Sequence, residues 1–282
     1  MTEEKNTETK TTGHEWDGIS EYNIPAPRWW LIVWIICIIW AFGYWIFYPT
    51  WPIFGGNSKG ILGWSQQLEL QESQAEINAR KSFHLEKISK MNLQEIRKDH
   101  DLMRFAVNGG RAAFKENCAA CHGSGAQGAK NYPNLNDDDW LWGGKLEDIY
   151  QTIKYGIRSG HNKARENQMP AFGIDKVLKK DQIEAVAEYV MSLTGKTKQN
   201  AEGEKIFKDN CVACHGEQAK GNRNLGAPNL TDAIWLYGGN KEDIRFTVYY
   251  ARNGVMPYWS GRLDDNTIKQ LTLYVHSLGG GE

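Results

Sequence analysis

The chain has no surplus of charge. Its 33 Lys and Arg balance 34 Asp and Glu, a formal net charge of −1. No bulk field therefore points to nucleic acid or to an anionic membrane surface. It also lacks spare cysteines: of five, four sit in two short motifs and only Cys37 is left over. No pair remains for a structural disulfide, so cysteine usage does not report the redox compartment in the ordinary way. The features of a cleaved signal peptide are missing as well. Such a peptide has a short basic start and ends at small residues, whereas here residues 1–28 carry mixed charge and large aromatics follow the first apolar run. The length allows about two domains, and twelve Trp is a high count, several of them around that run.

The four committed thiols lie in Cys118-Ala-Ala-Cys121-His122 and Cys211-Val-Ala-Cys214-His215. Two thiols three positions apart share one helical turn, where both reach the vinyl groups of a single haem. The adjacent histidine then lifts its imidazole onto the iron. This is the attachment signature of c-type haem. Zinc sites and thioredoxin-like redox sites also use paired cysteines. Zinc ribbons, however, set their knuckles about 15–20 residues apart. Here the motifs begin at 118 and 211, each with its own histidine, and the βαβ surround of a redox pair is absent. The expectation is two covalently bound haem c groups, and what is known of c-type cytochromes places their attachment on the periplasmic side of a bacterial membrane.

Residues 29–48 carry no charge, and at about 1.5 Å per residue such a helix crosses a hydrocarbon core of roughly 30 Å. Trp29 and Trp30 mark one border and Trp45, Tyr48 and Trp51 the other, as an interfacial belt requires. Pro49 and Pro52 then stop the helix. Lys5, Lys10 and Arg28 precede the span while Lys59 alone follows closely, which leans toward a cytoplasmic N-terminus. The polar start is expected to be disordered up to His14. The piece His14–Ile19 reads as an interfacial anchor, with a docking motif as the alternative.

Residues 66–104 show a patchy 3.6-residue apolar period that predicts one or two helices, a spacer whose surface either packs on a partner or stays solvated. An internal repeat follows. Gly110, Phe114 and Cys118 match Gly203, Phe207 and Cys211; Pro133-Asn134-Leu135 matches Pro228-Asn229-Leu230; Trp140 and Gly143-Gly144 match Trp235 and Gly238-Gly239; Tyr189 matches Tyr274. The first copy carries extra residues around 159–167. The predicted organisation is an N-terminal cytoplasmic segment at 1–28, a transmembrane helix at 29–48, a helical linker at 49–105, and cytochrome c domains at 106–196 and 197–282. The fold class is all-α: one membrane helix, then two tandem class I cytochrome c-like domains.

Met169-Pro170 and Met256-Pro257 recur at matching repeat positions after the two motifs. A thioether opposite the histidine raises a haem's reduction potential, so Met169 and Met256 are the expected distal ligands beside His122 and His215. Whether each serves its own repeat is left open by the sequence. Met191 pairs with His276 on the closing helices, where packing explains both. His161 could compete for iron but has no counterpart in the second copy. Asp137, Asp138 and Asp139 read as solvated surface, and Arg158, Arg252 and Tyr155 as possible propionate partners. With both faces of each iron taken by protein, electron transfer is favoured over catalysis.

HEWDGISEYNIPAPRWW, the single span ending in YPTWP, GGRAAFKENCAACHG and DDDWLWGG together resemble the dihaem subunit family of cbb3-type cytochrome c oxidases, CcoP or FixP, over nearly the whole chain. The resemblance implies an inner-membrane protein with periplasmic haem domains. Electrons would come from a cytochrome c or a quinol-oxidising complex, pass both haems to a monohaem membrane subunit, and reach the haem–copper subunit that reduces oxygen. By motif match, Cys118, Cys121, Cys211 and Cys214 carry haem, and His122, His215, Met169 and Met256 bind iron. Some relatives have an additional N-terminal span; this chain shows one. Other readings are a tethered dihaem carrier serving other reductases, a dihaem peroxidase with an open iron, or a haem-based regulator.

Overall fold

A computed structural model describes residues 10–195, 197, 198 and 200–282. The chain divides into two compact units, Met1–Arg80 and Lys81–Glu282. In the first, β1 (Thr11–Trp16) and β2 (Ile19–Tyr22) pair antiparallel with Trp16 opposite Ile19. Asp17 and Gly18 both take positive φ, 49° and 82°, as the two-residue turn of a tight hairpin demands. The expectation of disorder up to His14 is thereby corrected for Thr11–Gly13; residues 1–9 lie outside the described residues. The His14–Ile19 piece is the hairpin itself, with every residue exposed.

Helix α1 (Arg28–Phe47) begins after Pro27, whose fixed φ suits a helix start, and ends at the extended Tyr48 before Pro49. It is apolar on all sides and none of its residues is buried in the protein, the signature of a helix made for lipid rather than for a core. Its length and composition suffice to cross a membrane. β3 (Pro52–Ile53) and β4 (Gly56–Asn57) form a small hairpin. The chain then returns to cap α1: Ile61 and Leu62 donate to the carbonyls of Ile46 and Phe47 at 3.0 and 3.1 Å, groups that the helix end leaves unsatisfied.

Helix α2 (Gln66–Lys90) is exposed for most of its length, with Ile88 as its buried residue. Helix α3 (Leu93–Lys98) starts with a reciprocal cap between Asn92 and Glu95. The expected spacer thus ends as core. Ile88, Leu93, Ile96 and Leu102 pack with Leu146 and Leu273, and Lys269 Nζ donates to the carbonyls of Ile88 and Met91 at 2.9 and 2.8 Å.

The rest of the second unit consists of two matching helix sets. The first is α4 (His100–Asn117), α5 (Ala119–His122), α6 (Leu146–Tyr155) and α7 (Lys180–Ser192). The second is α8 (Ala201–Asn210), α9 (Val212–His215), α10 (Lys241–Tyr250) and α11 (Asp265–His276). The fold is therefore predominantly helical, with an apolar helix followed by a tandem of cytochrome-like helix sets. α4 starts ahead of position 105, where the linker was expected to end.

The two packed bodies are not the two sequence repeats. Phe114 of α4 and Ile149 and Ile153 of α6 share a core with Ile268, Leu271, Tyr274 and Val275 of α11. Ile206 and Phe207 of α8 and Ile244 and Val248 of α10 share theirs with Ile183, Val186, Tyr189 and Val190 of α7. Each repeat gives its closing helix to the other. The matching pairs are equivalent in detail: Phe114 meets Tyr274 with ring centroids at 5.4 Å, and Phe207 meets Tyr189 at 5.4 Å.

Both crossings turn on glycine. A Cβ at Gly110 would run into the Gln270 carbonyl and the Tyr274 side chain; one at Gly203 would run into the Ala185 carbonyl and Tyr189. Backbone cannot yield as a side-chain tip can, so filling either contact separates the helices. Gly110→Ala and Gly203→Ala are each expected to lower the unfolding free energy by about 2–3 kcal/mol, measured as a drop in urea midpoint. An unchanged midpoint would reject the close crossing.

Candidate functional site

The two five-residue motifs have the same geometry. α4 delivers Cys118 by a bond from its N–H to the Phe114 carbonyl at 2.8 Å, and α8 delivers Cys211 to Phe207 at 2.8 Å. One further turn follows. His122 and His215 donate their backbone N–H to the Cys118 and Cys211 carbonyls at 3.0 and 2.9 Å. Gly123 and Gly216, at φ 82° and 76°, then end that turn. Burial pushes the Cys118 and Cys211 thiols up to about 11, with the charge of the second cysteine of each pair adding to it.

Each imidazole is locked. His122 Nδ1 lies 3.1 Å from the Pro133 carbonyl, and His215 Nδ1 lies 3.1 Å from that of Pro228. A carbonyl only accepts, so Nδ1 carries the proton and Nε2 keeps its lone pair free for a metal. Burial lowers the pKa of both histidines, against the opposing pull of the proline carbonyl. The neutral, ligating form is therefore the favoured one. The recurring Pro-Asn-Leu was visible as a repeat; the role of its proline carbonyl was not.

Met256 packs in the core that holds Cys118 and Ala119, and Met169 in the core that holds Cys211 and Val212. The structure therefore does not bring Met169 to the first motif or Met256 to the second. Met256 exchanges two backbone hydrogen bonds with Ile157, both 3.0 Å. Met169 N–H donates to Asn253 Oδ1 at 3.2 Å, and Asn253 Nδ2 donates back to the Met169 carbonyl at 3.3 Å.

The remaining candidates have other partners. Met191 packs into a core. His161 accepts from the Lys163 N–H at 3.0 Å and lies between the rings of Tyr155 and Tyr258. Arg158 donates to the carbonyls of Gly254 and Asn167 at 2.8 and 2.7 Å, and Arg252 Nε donates to Thr247 at 2.9 Å. Arg165 mirrors Arg252: its Nε donates to Thr152 at 3.0 Å, and each arginine stands four residues before its methionine. That spacing is the signal by which Arg165 could have been found.

The residues fit haem c. Each site offers two thiols on one turn, an imidazole with a free Nε2, and a thioether in the same core. Among the described residues, Trp235 Nε1 is buried without a hydrogen-bond partner, and Trp235 packs against the core that holds Cys211. A buried donor of that kind calls for an acceptor, and a haem propionate is one. Its repeat counterpart Trp140 already donates to the Gly280 carbonyl.

Between residues 136–140 and residues 220–234 lies an open cavity of about 670 Å³ whose lining includes Asp137, Asp139, Asp232, Lys220 and Arg223. Asp139 is pushed up to about 6, first by burial and then by the charges of Asp232 and Asp137, with Arg223 opposing.

Comparison with known proteins gives a consistent answer. Residues 8–55 match the N-terminal domain of cytochrome oxidase-cbb3, FixP. Residues 105–190 and 198–275 match cytochrome c oxidase, cbb3-type, subunit III. The chain is 53% identical over 278 residues to the cbb3-type cytochrome c oxidase subunit FixP of Bradyrhizobium sp. (strain ORS 278), covering 97% of this chain and 96% of that protein. It is 51% identical over 284 residues to the CcoP subunit of Azospirillum sp. (strain B510), covering 97% and 96%. Against the CcoP subunit of Cereibacter sphaeroides the figure is 48% over 288 residues, covering 100% and 98%.

The acidic cavity makes a pH prediction. Asp139 holds its proton to about pH 6 in the folded protein, against an ordinary value of 3.8. At this group the folded state then binds more protons than the unfolded one across that window, so the contribution of Asp139 to stability is most favourable below about pH 4 and is lost as pH rises to about 6. Asp139→Asn is expected to recover about 1–2 kcal/mol at pH 7, after allowing for partial solvent screening, and nothing below pH 4. Urea melts at the two pH values check this; an equal gain at both would reject the raised value.

Proposed function

The chain belongs to the FixP/CcoP family of cbb3-type cytochrome c oxidase subunits, and on that premise we propose that it is the membrane-anchored dihaem electron carrier of such an oxidase. One haem c is carried by Cys118 and Cys121 with His122 on the iron, the second by Cys211 and Cys214 with His215. Met169 and Met256 supply the sulfur ligands. When bound, each haem supplies a one-electron iron couple. α1 anchors the chain in the inner membrane with its N-terminus in the cytoplasm and the haem-bearing unit in the periplasm. Electrons come from a cytochrome c and leave for the monohaem and haem–copper subunits of the complex.

The chain's own residues set how such a carrier behaves. The proline carbonyls hold each imidazole in one tautomer and one orientation, which keeps reorganisation on electron transfer small and strengthens the ligand. A methionine thioether from Met169 or Met256, held with the motif histidine, would favour the reduced iron and a higher potential. With a histidine and a methionine both holding the iron, no position would be left for oxygen or peroxide, and oxygen reduction would belong to another subunit.

The observation that carries this reading is the duplicated lock, two motif histidines each 3.1 Å from a proline carbonyl with Nε2 free. Its test is mass spectrometry and pyridine haemochrome analysis of the purified membrane form, with two covalent haems per chain expected. One haem, or none, would overturn it. In intact membranes His215→Ala is expected to cut cytochrome c-driven oxygen consumption at least tenfold while the catalytic subunit is still assembled on native gels. Undiminished consumption would favour a regulatory role.

A further inference from the structure

We propose that Asn253 is a positioning residue for the iron site that Met169 serves: its side-chain amide holds the Met169 main chain, and through it the thioether. The proposal rests on the haem–methionine reading above and deepens it.

Met169 sits in a stretch to which the fold gives little support. Glu166, Asn167, Gln168 and Pro170 are exposed, and Met169 alone among them turns into a core. Before it, Arg165 is bonded to the backbone at Gly156 and Arg158, at 3.2 and 2.8 Å. After it, Gly173 donates to the Tyr249 carbonyl at 3.2 Å. Among the described residues, the Met169 main chain has no backbone partner. Asn253 fills that gap. Met169 N–H donates to Asn253 Oδ1 at 3.2 Å, and Asn253 Nδ2 donates to the Met169 carbonyl at 3.3 Å. One primary amide thus supplies both an acceptor and a donor to a single residue, as a neighbouring strand would.

A holder is useful only if it is itself held. Arg252 Nε donates to Thr247 Oγ1 at 2.9 Å, and its guanidinium lies over the rings of Tyr237 and Phe246. Gly254 N–H donates to the Tyr237 hydroxyl at 3.1 Å, and its carbonyl accepts from Arg158 at 2.8 Å. Asn253 is therefore clasped through both neighbours. The clasp continues to Met256, which exchanges two bonds with Ile157, and a Cβ at Gly156 would strike the Met256 carbonyl. The two methionines are thus held differently. Met256 is fixed by main chain, which no substitution removes, whereas Met169 is fixed by one side chain. The position that matches Asn253, three residues before Met169, is the exposed Glu166.

The full chain, loaded with haem and oxidised, tests this with imidazole as a competitor for the iron. The readout is the far-red charge-transfer band of methionine-ligated ferric haem. Asn253→Leu keeps the branched shape and removes both hydrogen bonds. Half of the band is expected to vanish at about tenfold less imidazole than in the unaltered protein. The resistant half should be the one that Met169→Ala leaves, and adding Asn253→Leu to Met169→Ala should change nothing further. Glu166→Leu is expected to leave the curve where it was. An unmoved curve in Asn253→Leu would overturn the proposal, as would a shift that persists in the Met169→Ala background. A lower urea midpoint with imidazole sensitivity unchanged would mark a merely structural role and reject it as well. If Asn253→Leu fails to take up haem, Asn253→Asp removes the donor alone and should move the same half of the band in the same direction. No movement there counts against the proposal. A band untouched by Met169→Ala would instead sink the ligand assignment beneath it.

Discussion

Everything in the haem-bearing unit depends on two helix crossings made without a side chain. At Gly110 and Gly203 one helix lies directly on the backbone of another, and this close approach fixes where α4 and α8 end. Their ends fix the motif turns, because Cys118 and Cys211 are each bonded back to the phenylalanine that packs beside the crossing. A metal ligand is useful only if its direction is set by something rigid. Here the order runs from glycine, to crossing, to aromatic pair, to motif, to imidazole.

The electrostatics follow from that packing. Burial makes ionised cysteine and protonated histidine costly at the same spot, which leaves neutral thiols and neutral imidazoles. These are the forms that thioether formation and iron ligation use. The proline carbonyl settles the one remaining choice, which nitrogen bears the proton. Charge is handled away from the motifs. Glu184 and Glu188 of α7 pair with Lys241 and Arg245 of α10, and Lys154 of α6 pairs with Asp265 of α11. All of these pairs join helices from different repeats and are partly solvated, Lys154 the least. They contribute register more than free energy.

The motifs, the apolar span and the repeat were legible in the sequence because each is a local pattern: five residues, one uncharged run, one recurring set of spacings. The two candidate methionines stood out for the same reason, as a Met-Pro at matching places. Their place in the exchanged cores did not. Tyr189 and Tyr274 are equivalent, as are Phe114 and Phe207, so the pattern of apolar residues is satisfied equally by either choice of partner. What separates the two is the length of the Ser192–Ala201 connection and the clasp around Ile157, Asn253 and Gly156, which are properties of the assembled backbone. The hairpin at Thr11–Tyr22 was missed for a different reason. Its polar composition argued for disorder, while the Asp17-Gly18 turn that overrides composition was carried by two residues.

Exchange between near-identical repeats has a structural cost and a functional use. Two separate modules can drift relative to one another, and electron transfer between them would then vary with their separation. When each body contains helices from both repeats, that freedom is removed, because shifting one core strains the other. The two sites nonetheless differ in detail. Trp140 spends its indole N–H on the Gly280 carbonyl, whereas the indole N–H of Trp235 remains buried and unpartnered. The repeat thus provides the rigidity of a symmetric frame, and the two indole N–H groups are one place where that symmetry is broken.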